Sequence, residues 1–446
     1  MVPADHSFAR ANRVDVNPAP VMADWWAGLH DPELNRLESA ALAASPDLAA
    51  ARARVRESRA ELHARRADLL PTTGSSAAYI HSHSGSGLLS GLAGGGAGGS
   101  SSSDLDLYSV GFDATWEADL FGAKRRGAEA AAANTEAQIA SLADARVSLT
   151  AEVGRAYVSV RDLQHRLALE QASAKLHQQE LVLGQQRAAA GAASEFDVER
   201  LNEQVQQTLT DIVPLQAQLD AQMDELAVLT GRLPGDLDAE LASVAPVPVP
   251  PATVSIGDPT ALLQRRPDIR EAERQIAAKN AAIGQHLADY FPKLQILGDI
   301  GYSSTDVSQL FSSAAFMGIV APVLQWKPFD FGRTAAAVEE ARAGLDEAEA
   351  SYRSTVLKAL EDAESSLSKY GYQRKNLLGL QRVFVSASRA ASLARDRYRG
   401  GTIGLTDLLD TERTRYQAEE ALAQGQAEMT RDYIALQKSL GLGWRG

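Results

Sequence analysis

The sequence predicts a mostly α-helical chain folded as an internal duplication, each half joining a β-hairpin to a long antiparallel coiled-coil hairpin. Three observations predict it. First, the pattern occurs twice. Pro46-Asp47-Leu48 and Asp68-Leu69-Leu70-Pro71 return as Pro267-Asp268-Ile269 and Asp289-Tyr290-Phe291-Pro292 at a constant offset of 221. Trp116, Phe121-Gly122, Arg187, Gly191, Asp197 and Gly231 return as Trp326, Phe331-Gly332, Arg397, Gly401, Asp407 and Gly441 at a constant offset of 210. The difference of 11 residues lies between Pro71 and Trp116, where the sequence turns into Gly and Ser over 82–103, as a loop tolerates. Second, residues 121–189 contain no proline and little glycine, enough for one helix of about 100 Å. Third, residues 108–116 alternate with period two, the signature of a strand.

Taken in order, residues 1–30 read as an extended N-terminal segment and residues 31–231 as the first repeat. Ser45-Pro46-Asp47 supplies an N-cap and a first-turn proline, and Pro71 stops the helix. A β-hairpin is expected over 75–116, and a helical hairpin over 119–231. In the latter, Ile139, Leu142, Leu149, Val153, Tyr157, Val160, Leu163 and Leu167 form a coiled-coil seam, Gly191 ends the first helix, and Pro214 is expected to kink the second. Residues 232–256, rich in Pro, Val and Ala, form an extended connector. Residues 257–441 repeat the unit, with strands over 294–326 and a helical hairpin over 330–441; a tail of 442–446 follows.

Composition excludes several classes. The formal charge of −13 opposes a sequence-independent grip on nucleic acid. The basic spots at Lys124-Arg125-Arg126 and at Arg52, Arg54, Arg56 and Arg59 sit in helical runs as solvated faces. With no cysteine, no disulfide, thiolate metal site or cysteine nucleophile can form. No stretch reaches 18 consecutive apolar residues, which removes a transmembrane helix and leaves a β-barrel open. Residues 1–17 lack an apolar signal core, so for an exported chain the leader is expected upstream of Met1.

The strands decide between soluble and membrane architectures. Tyr108, Val110, Phe112, Ala114 and Trp116 share one face, and Ser109, Gly111, Asp113 and Thr115 the other, over the length of a tilted bilayer-crossing strand. Leu294, Ile296, Gly298, Ile300 and Tyr302 repeat this less cleanly. Tyr108, Trp116, Tyr302 and Trp326 are expected near strand ends, where interfacial aromatics belong. Four strands cannot close a barrel, and an open edge cannot stand in lipid. Either they cover a soluble core or several chains pool them. Helical hairpins too long to bury themselves make the same demand for neighbours, pointing to a symmetric oligomer with its strands at one end.

At this point the residues resemble the TolC-type outer membrane efflux proteins, and within them the lipoprotein branch serving multidrug pumps. The matching features are Trp25-Trp26, the duplicated Pro-Asp helix, Trp116-Glu117-Ala118-Asp119-Leu120-Phe121-Gly122, Arg187 to Gly191 through Asp197, and Arg397-Tyr398-Arg399-Gly400-Gly401-Thr402 through Asp410. The resemblance implies a mostly α fold with a membrane β-barrel portion, in which three copies build one twelve-stranded barrel and a periplasmic tunnel of long helices. It implies a homotrimer set in outer membrane lipid and docked to a periplasmic adaptor and an inner-membrane pump, with no cofactor and no catalysis. The branch carries a lipidated N-terminal cysteine, which this sequence lacks. Export of small molecules is the expected role; a type I protein secretion duct and a soluble structural coiled coil are the rivals.

The same resemblance assigns roles to residues. Asp407 and Asp410, spaced to share one helix face, match the family's entrance aspartates, a cation-favouring ring once repeated by symmetry; on spacing alone they are equally two solvated carboxylates in a first turn. Tyr398 and Asp197 match a gate latch. The family's latch arginine falls at Ile403, so Arg397 or Arg399 is expected to supply the charge. Gly191, Ala192 and Ser194, with Gly401, Thr402 and Gly404, are tip turns and the expected adaptor-docking surface. Asp113 and Asp299 are expected to line the barrel lumen. His81 and His83 share a strand face without a third ligand nearby, so no metal site is expected, and the Gly94 to Gly99 run lacks the Lys of a phosphate loop.

Overall fold

A computed structural model gives the fold, and it describes residues 8–10, 16–17, 23–84, 103–256 and 265–444. The Gly94 to Gly99 run, most of the 82–103 insertion, the start of the second repeat at 257–264 and the last two residues lie outside the described residues. In chain order the elements are β1 (Val16–Asn17), α1 (Pro32–Ala44), α2 (Pro46–Ala67), β2 (Thr72–Ser84), β3 (Ser103–Ala118), α3 (Ala123–Ala189), α4 (Glu195–Leu229), α5 (Asp238–Leu241) and β4 (Val254–Ser255). They continue with α6 (Pro267–Leu287), β5 (Lys293–Ser304), β6 (Phe316–Gln325), α7 (Arg333–Arg399) and α8 (Leu405–Ser439). The two longest helices hold 67 residues each, and α4 runs through Pro214 without interruption. None of the described helices is apolar enough to cross a membrane.

The chain divides into two compact units that do not follow the sequence repeats. One comprises Met1–Val55, Gln138–Ala272 and Ser351–Gly446; the other comprises Arg56–Ala137 and Glu273–Ala350. Each takes matching pieces from both halves, because equivalent segments of the two repeats pack beside each other.

The first unit holds the main core: Leu34, Leu37, Tyr157, Val160, Leu226, Leu241, Leu367, Ile434 and Leu436 are buried. Each such side chain stabilises the fold by about 1.5–3 kcal/mol. Of the expected α3 seam, Leu149, Val153, Tyr157, Val160 and Leu163 are buried, while Ile139 is exposed; only the stretch packed into this core is covered. Trp25 meets Trp26 and Tyr433 edge-on at 5.7 and 6.3 Å. Gly154 lies beneath the Trp25 indole, where a Cβ would come within 2.8 Å of the ring. Asp31 caps α1 through the amides of Glu33 and Leu34, and its other oxygen accepts the Tyr157 hydroxyl at 2.8 Å, tying α1 to α3.

The connector is strapped down through its carbonyls. Buried Arg161 donates to Ser243 O at 2.7 Å, Gln164 to Leu241 O at 2.5 Å, and Thr430 to Pro248 O at 2.7 Å. It contains the short helix α5, which the expected fully extended segment did not include, because Leu237 and Leu241 are buried in the core.

The second unit carries a four-stranded antiparallel sheet in the order β2-β3-β5-β6, both hairpins lying side by side. Trp116 Nε1 donates to Leu69 O at 2.9 Å, and Trp326 Nε1 to Tyr290 O at 3.1 Å, so each strand pair is fastened to the helix end preceding it. Trp116, Tyr302 and Trp326 lie at strand ends; Tyr108 does not, since β3 begins at Ser103, and it stacks on Tyr79 at 4.9 Å. One face carries exposed Phe112, Ile300, Val320 and Leu324. Within this chain the outer edges of β2 and β6 have no strand partner among the described residues.

Candidate functional site at the helix tips

Both helical hairpins reverse by the same device. At the first tip Gly191, at φ +71°, donates to Ala188 O at 2.9 Å and Ala192 donates to Arg187 O at 2.8 Å. At the second, Gly401, at φ +68°, donates to Tyr398 O at 3.1 Å and Thr402 to Arg397 O at 2.9 Å. No atom lies within 4 Å of a Cβ built at either glycine, so backbone conformation rather than space requires the residue.

Each returning helix then starts on an aspartate. Ser194 caps α4, accepting from the Asp197 amide at 3.2 Å, while Asp197 Oδ2 accepts from the Ser194 amide and hydroxyl at 3.1 and 2.7 Å. The Ser194 hydroxyl and amide hold the Asp197 carboxyl below the usual range. Gly404 has no hydroxyl, so only half of this arrangement survives at the second tip: its amide donates to Asp407 Oδ2 at 3.4 Å. One turn on, Asp410 pairs with Arg413 at 3.3 Å. Asp407 and Asp410 are both exposed, whereas Leu408 and Leu409 between them are buried.

The tie between the two tips differs from the expected one. Arg187, near the end of α3, donates to the Tyr398 hydroxyl on α7 and places its guanidinium 4.6 Å from the centre of that ring. Arg399 instead pairs with Asp396 on its own helix at 3.6 Å, and Arg397 contributes its carbonyl to the tip turn. Asp197 is engaged by Ser194 and faces no described bond from Tyr398. The guanidinium that meets Tyr398 is therefore that of Arg187, not of Arg397 or Arg399. The sequence marked Arg187 through the repeat and the family resemblance without giving it a place in the latch, although it is the position equivalent to Arg397 at the 210 offset. A second tie joins the hairpins where Arg200 donates to Thr406 Oγ1 at 3.1 Å.

Behind the tips the hairpins are held by charge and aromatic contacts. The Glu412 side chain is fully buried and accepts from Arg395 on α7 and from Arg415. Burial pushes the Glu412 carboxyl up, but the hydrogen bonds and charges of Arg395 and Arg415 together outweigh it and hold the group below the usual range. Arg415 also lies 3.9 Å over the Tyr416 ring, and His177 of α3 meets that ring edge-on at 6.0 Å. Arg166 of α3 pairs with Glu420 at 2.8 Å. Between these contacts lies a polar cavity of about 420 Å³, lined by Glu170, His177, Arg200, Asp410, Tyr416 and Glu420 among others. Burial, with Glu420 and Asp211 nearby, raises the Glu170 carboxyl. These bonds can be exchanged without covalent change, which suits parts that separate and rejoin.

In the sheet, Asp113 and Asp299 stand directly opposite each other on β3 and β5. Gly74 is opposite Asp113 on the other side, and a Cβ there would lie 2.6 Å from its Oδ1. On the opposite face, Asp106 accepts from Tyr79 and pairs with His81 Nδ1, each at 2.8 Å.

Comparison with known proteins matches residues 37–232 and 259–442 to the family described as outer membrane efflux protein. The chain is 30% identical to the outer membrane protein OprJ of Pseudomonas aeruginosa over 94% of its own length and 86% of that protein. It is 30% identical to the pyoverdine export outer membrane protein OpmQ of Pseudomonas putida, over 94% of this chain and 88% of the other. The solved outer-membrane channel OprN superposes with a TM-score of 0.90 at 34% identity, covering 99% of this chain and 97% of that one.

Proposed function

The chain belongs to the outer membrane efflux protein family and is an outer membrane protein, and we propose that three copies of it form the passive exit duct of a tripartite efflux pump, opened and closed at the helix tips. The observation that carries this reading is the sheet. Its four strands have an apolar face with Phe112, Ile300, Val320 and Leu324, a face where Asp113 stands opposite Asp299, and two edges without a strand partner among the described residues. Such a sheet is stable in lipid only as part of a closed barrel. Three copies bring twelve strands, enough to leave a water-filled lumen, with Asp113 and Asp299 facing it.

Asp407 and Asp410 then contribute six carboxylates at the periplasmic entrance, favouring cations. The Gly191 and Gly401 turns, with Ala192, Ser194, Thr402 and Gly404, face the hairpins of a periplasmic adaptor that links the duct to an inner-membrane pump. Arg187 and Tyr398 hold the two hairpins of each copy together in the closed state. Small molecules are the cargo, in keeping with the similarity to a pyoverdine exporter, and the pump selects among them.

Single-channel conductance in planar bilayers tests this. Discrete, cation-preferring steps are expected for the native protein, with weaker preference in Asp407→Ala/Asp410→Ala. Unchanged preference would move selectivity away from the tips. No steps from native protein, Tyr398→Phe or Arg187→Ala would remove the duct.

A further inference from the structure

The duplication extends to the register of the sheet, so the two hairpins compare position by position. Adding 221 to a β2 residue and 210 to its β3 partner carries Thr72 opposite Thr115 to Lys293 opposite Gln325, an observed pair of β5 and β6. On the face of Phe112 the character is kept: Val110, Ala114 and Trp116 become Val320, Leu324 and Trp326. On the face of Asp113 it is not. Ser109, Gly111 and Asp113 become Ile319, Ala321 and Val323, and Leu107 becomes Met317. Strand β6 is therefore apolar on both faces.

A barrel strand between lipid and water alternates apolar with polar, and a near-continuous apolar run belongs to a strand that meets apolar matter on both sides. Lipid accounts for Val320 and Leu324 but not for the opposite face, where Met317 and Ile319 are 44% and 51% exposed. Met317 to Val323 make a strip about 20 Å long. That strip borders charge: Ile319 stands opposite Asp299, which stands opposite Asp113. Opposed residues on one face have Cβ atoms about 4.5–5.5 Å apart, and like charges so placed repel. Both aspartates are exposed, and neither has an ion-pair partner among the described residues.

Resting on the duct proposed above, we infer that the barrel wall binds amphiphilic cations, the charged group at Asp113 and Asp299 and the apolar body along Met317, Ile319, Ala321 and Val323 of β6. The occupant follows from complementarity to both parts of the surface. A small polar cation meets the aspartates and gains nothing from the strip. An apolar anion gains from the strip and is repelled by the aspartates beside it. Only a molecule with a positive group and an apolar body of a few carbon atoms satisfies both, so such cargo is concentrated at the wall on its way out. The change from Ser109, Gly111 and Asp113 to Ile319, Ala321 and Val323 thereby adds to a polar lumen the apolar surface that such cargo needs.

Block of single-channel current by three probes, in the full chain reconstituted in planar bilayers, tests this. Hexyltrimethylammonium carries charge and chain, tetramethylammonium the charge alone, and hexanesulfonate the chain with the opposite charge. In the native channel hexyltrimethylammonium should block at concentrations at least about tenfold below either of the others, since covering two methylenes already supplies that factor. Met317→Gln with Ile319→Thr, changes that keep side-chain size and strand preference, should remove most of its advantage over tetramethylammonium. Asp113→Asn with Asp299→Asn should remove most of its advantage over hexanesulfonate. Equal block by hexyltrimethylammonium and tetramethylammonium in the native channel would overturn the proposal and leave the duct standing, as would equal block by hexyltrimethylammonium and hexanesulfonate. Those two comparisons need no variant to assemble. Block that survives both barrel variants and is lost in Asp407→Ala/Asp410→Ala would put the site at the tips and overturn it equally. No current steps from the native protein, Tyr398→Phe or Arg187→Ala would remove the duct itself.

Discussion

In the proposed gate, opening separates the first and second hairpins of each copy, and the Arg187–Tyr398 contact opposes that. Tyr398→Phe deletes the hydroxyl and leaves a ring for the guanidinium to cover, so it isolates the hydrogen bond. A bond to a charged donor contributes about 1.5–3 kcal/mol, and because both partners are partly exposed here solvent screening reduces this to about 1–2 kcal/mol. Arg187→Ala also removes the stacking, about 0.5–1 kcal/mol more. If three copies open together, Tyr398→Phe shifts the closed-to-open equilibrium by roughly 3–6 kcal/mol, on the order of 10²–10⁴-fold. The assay is open probability in planar bilayers, with Arg187→Lys as a third variant that keeps the charge but not the planar group and should fall between. An open probability unchanged in both Tyr398→Phe and Arg187→Ala would refute the latch. A change in Arg187→Ala alone would assign the effect to the stacked charge and remove the hydroxyl from it.

Two further outcomes follow from one buried and one half-buried carboxylate in the helical unit. Glu412→Gln leaves Arg395 and Arg415 facing a neutral group in a site with no solvent at the side chain, and should lower stability in detergent by about 2–4 kcal/mol at neutral pH. Because the folded carboxyl lies below its ordinary value of 4.5, its contribution is present above that pH and lost on acidification, so the gap between native and variant melting temperatures should narrow as pH falls below that value. Asp432 has the opposite sign: burial, with Glu428 beside it, pushes its carboxyl from 3.8 up to about 6. Ionising it opposes folding as pH rises from 4 through 6, so Asp432→Asn should melt above the native protein at pH 7.5 and level with it at pH 4; equal melting temperatures at both would contradict the shift.

What the sequence determined by itself was local and periodic. Pro71 and Pro292 stop helices because they lack an amide and clash with the preceding turn, and Gly191 and Gly401 mark reversals because the left-handed backbone there favours glycine. The period-two run at 108–116 displayed the two faces of β3, and the offsets of 221 and 210 showed that one unit was used twice. The Ser194 to Asp197 capping pattern was equally legible, but the resemblance had reserved Asp197 for a latch. Only the tertiary structure decided which faces meet. It put β3 beside β5, opposed Asp113 to Asp299, strapped the connector to Arg161, Gln164 and Thr430, and buried Glu412 under Arg395. It also brought Arg187 onto Tyr398 across a separation of 211 residues. Periodicity states which side of an element is turned inward; a partner far along the chain is chosen by packing, and spacing in the sequence carries no record of that choice.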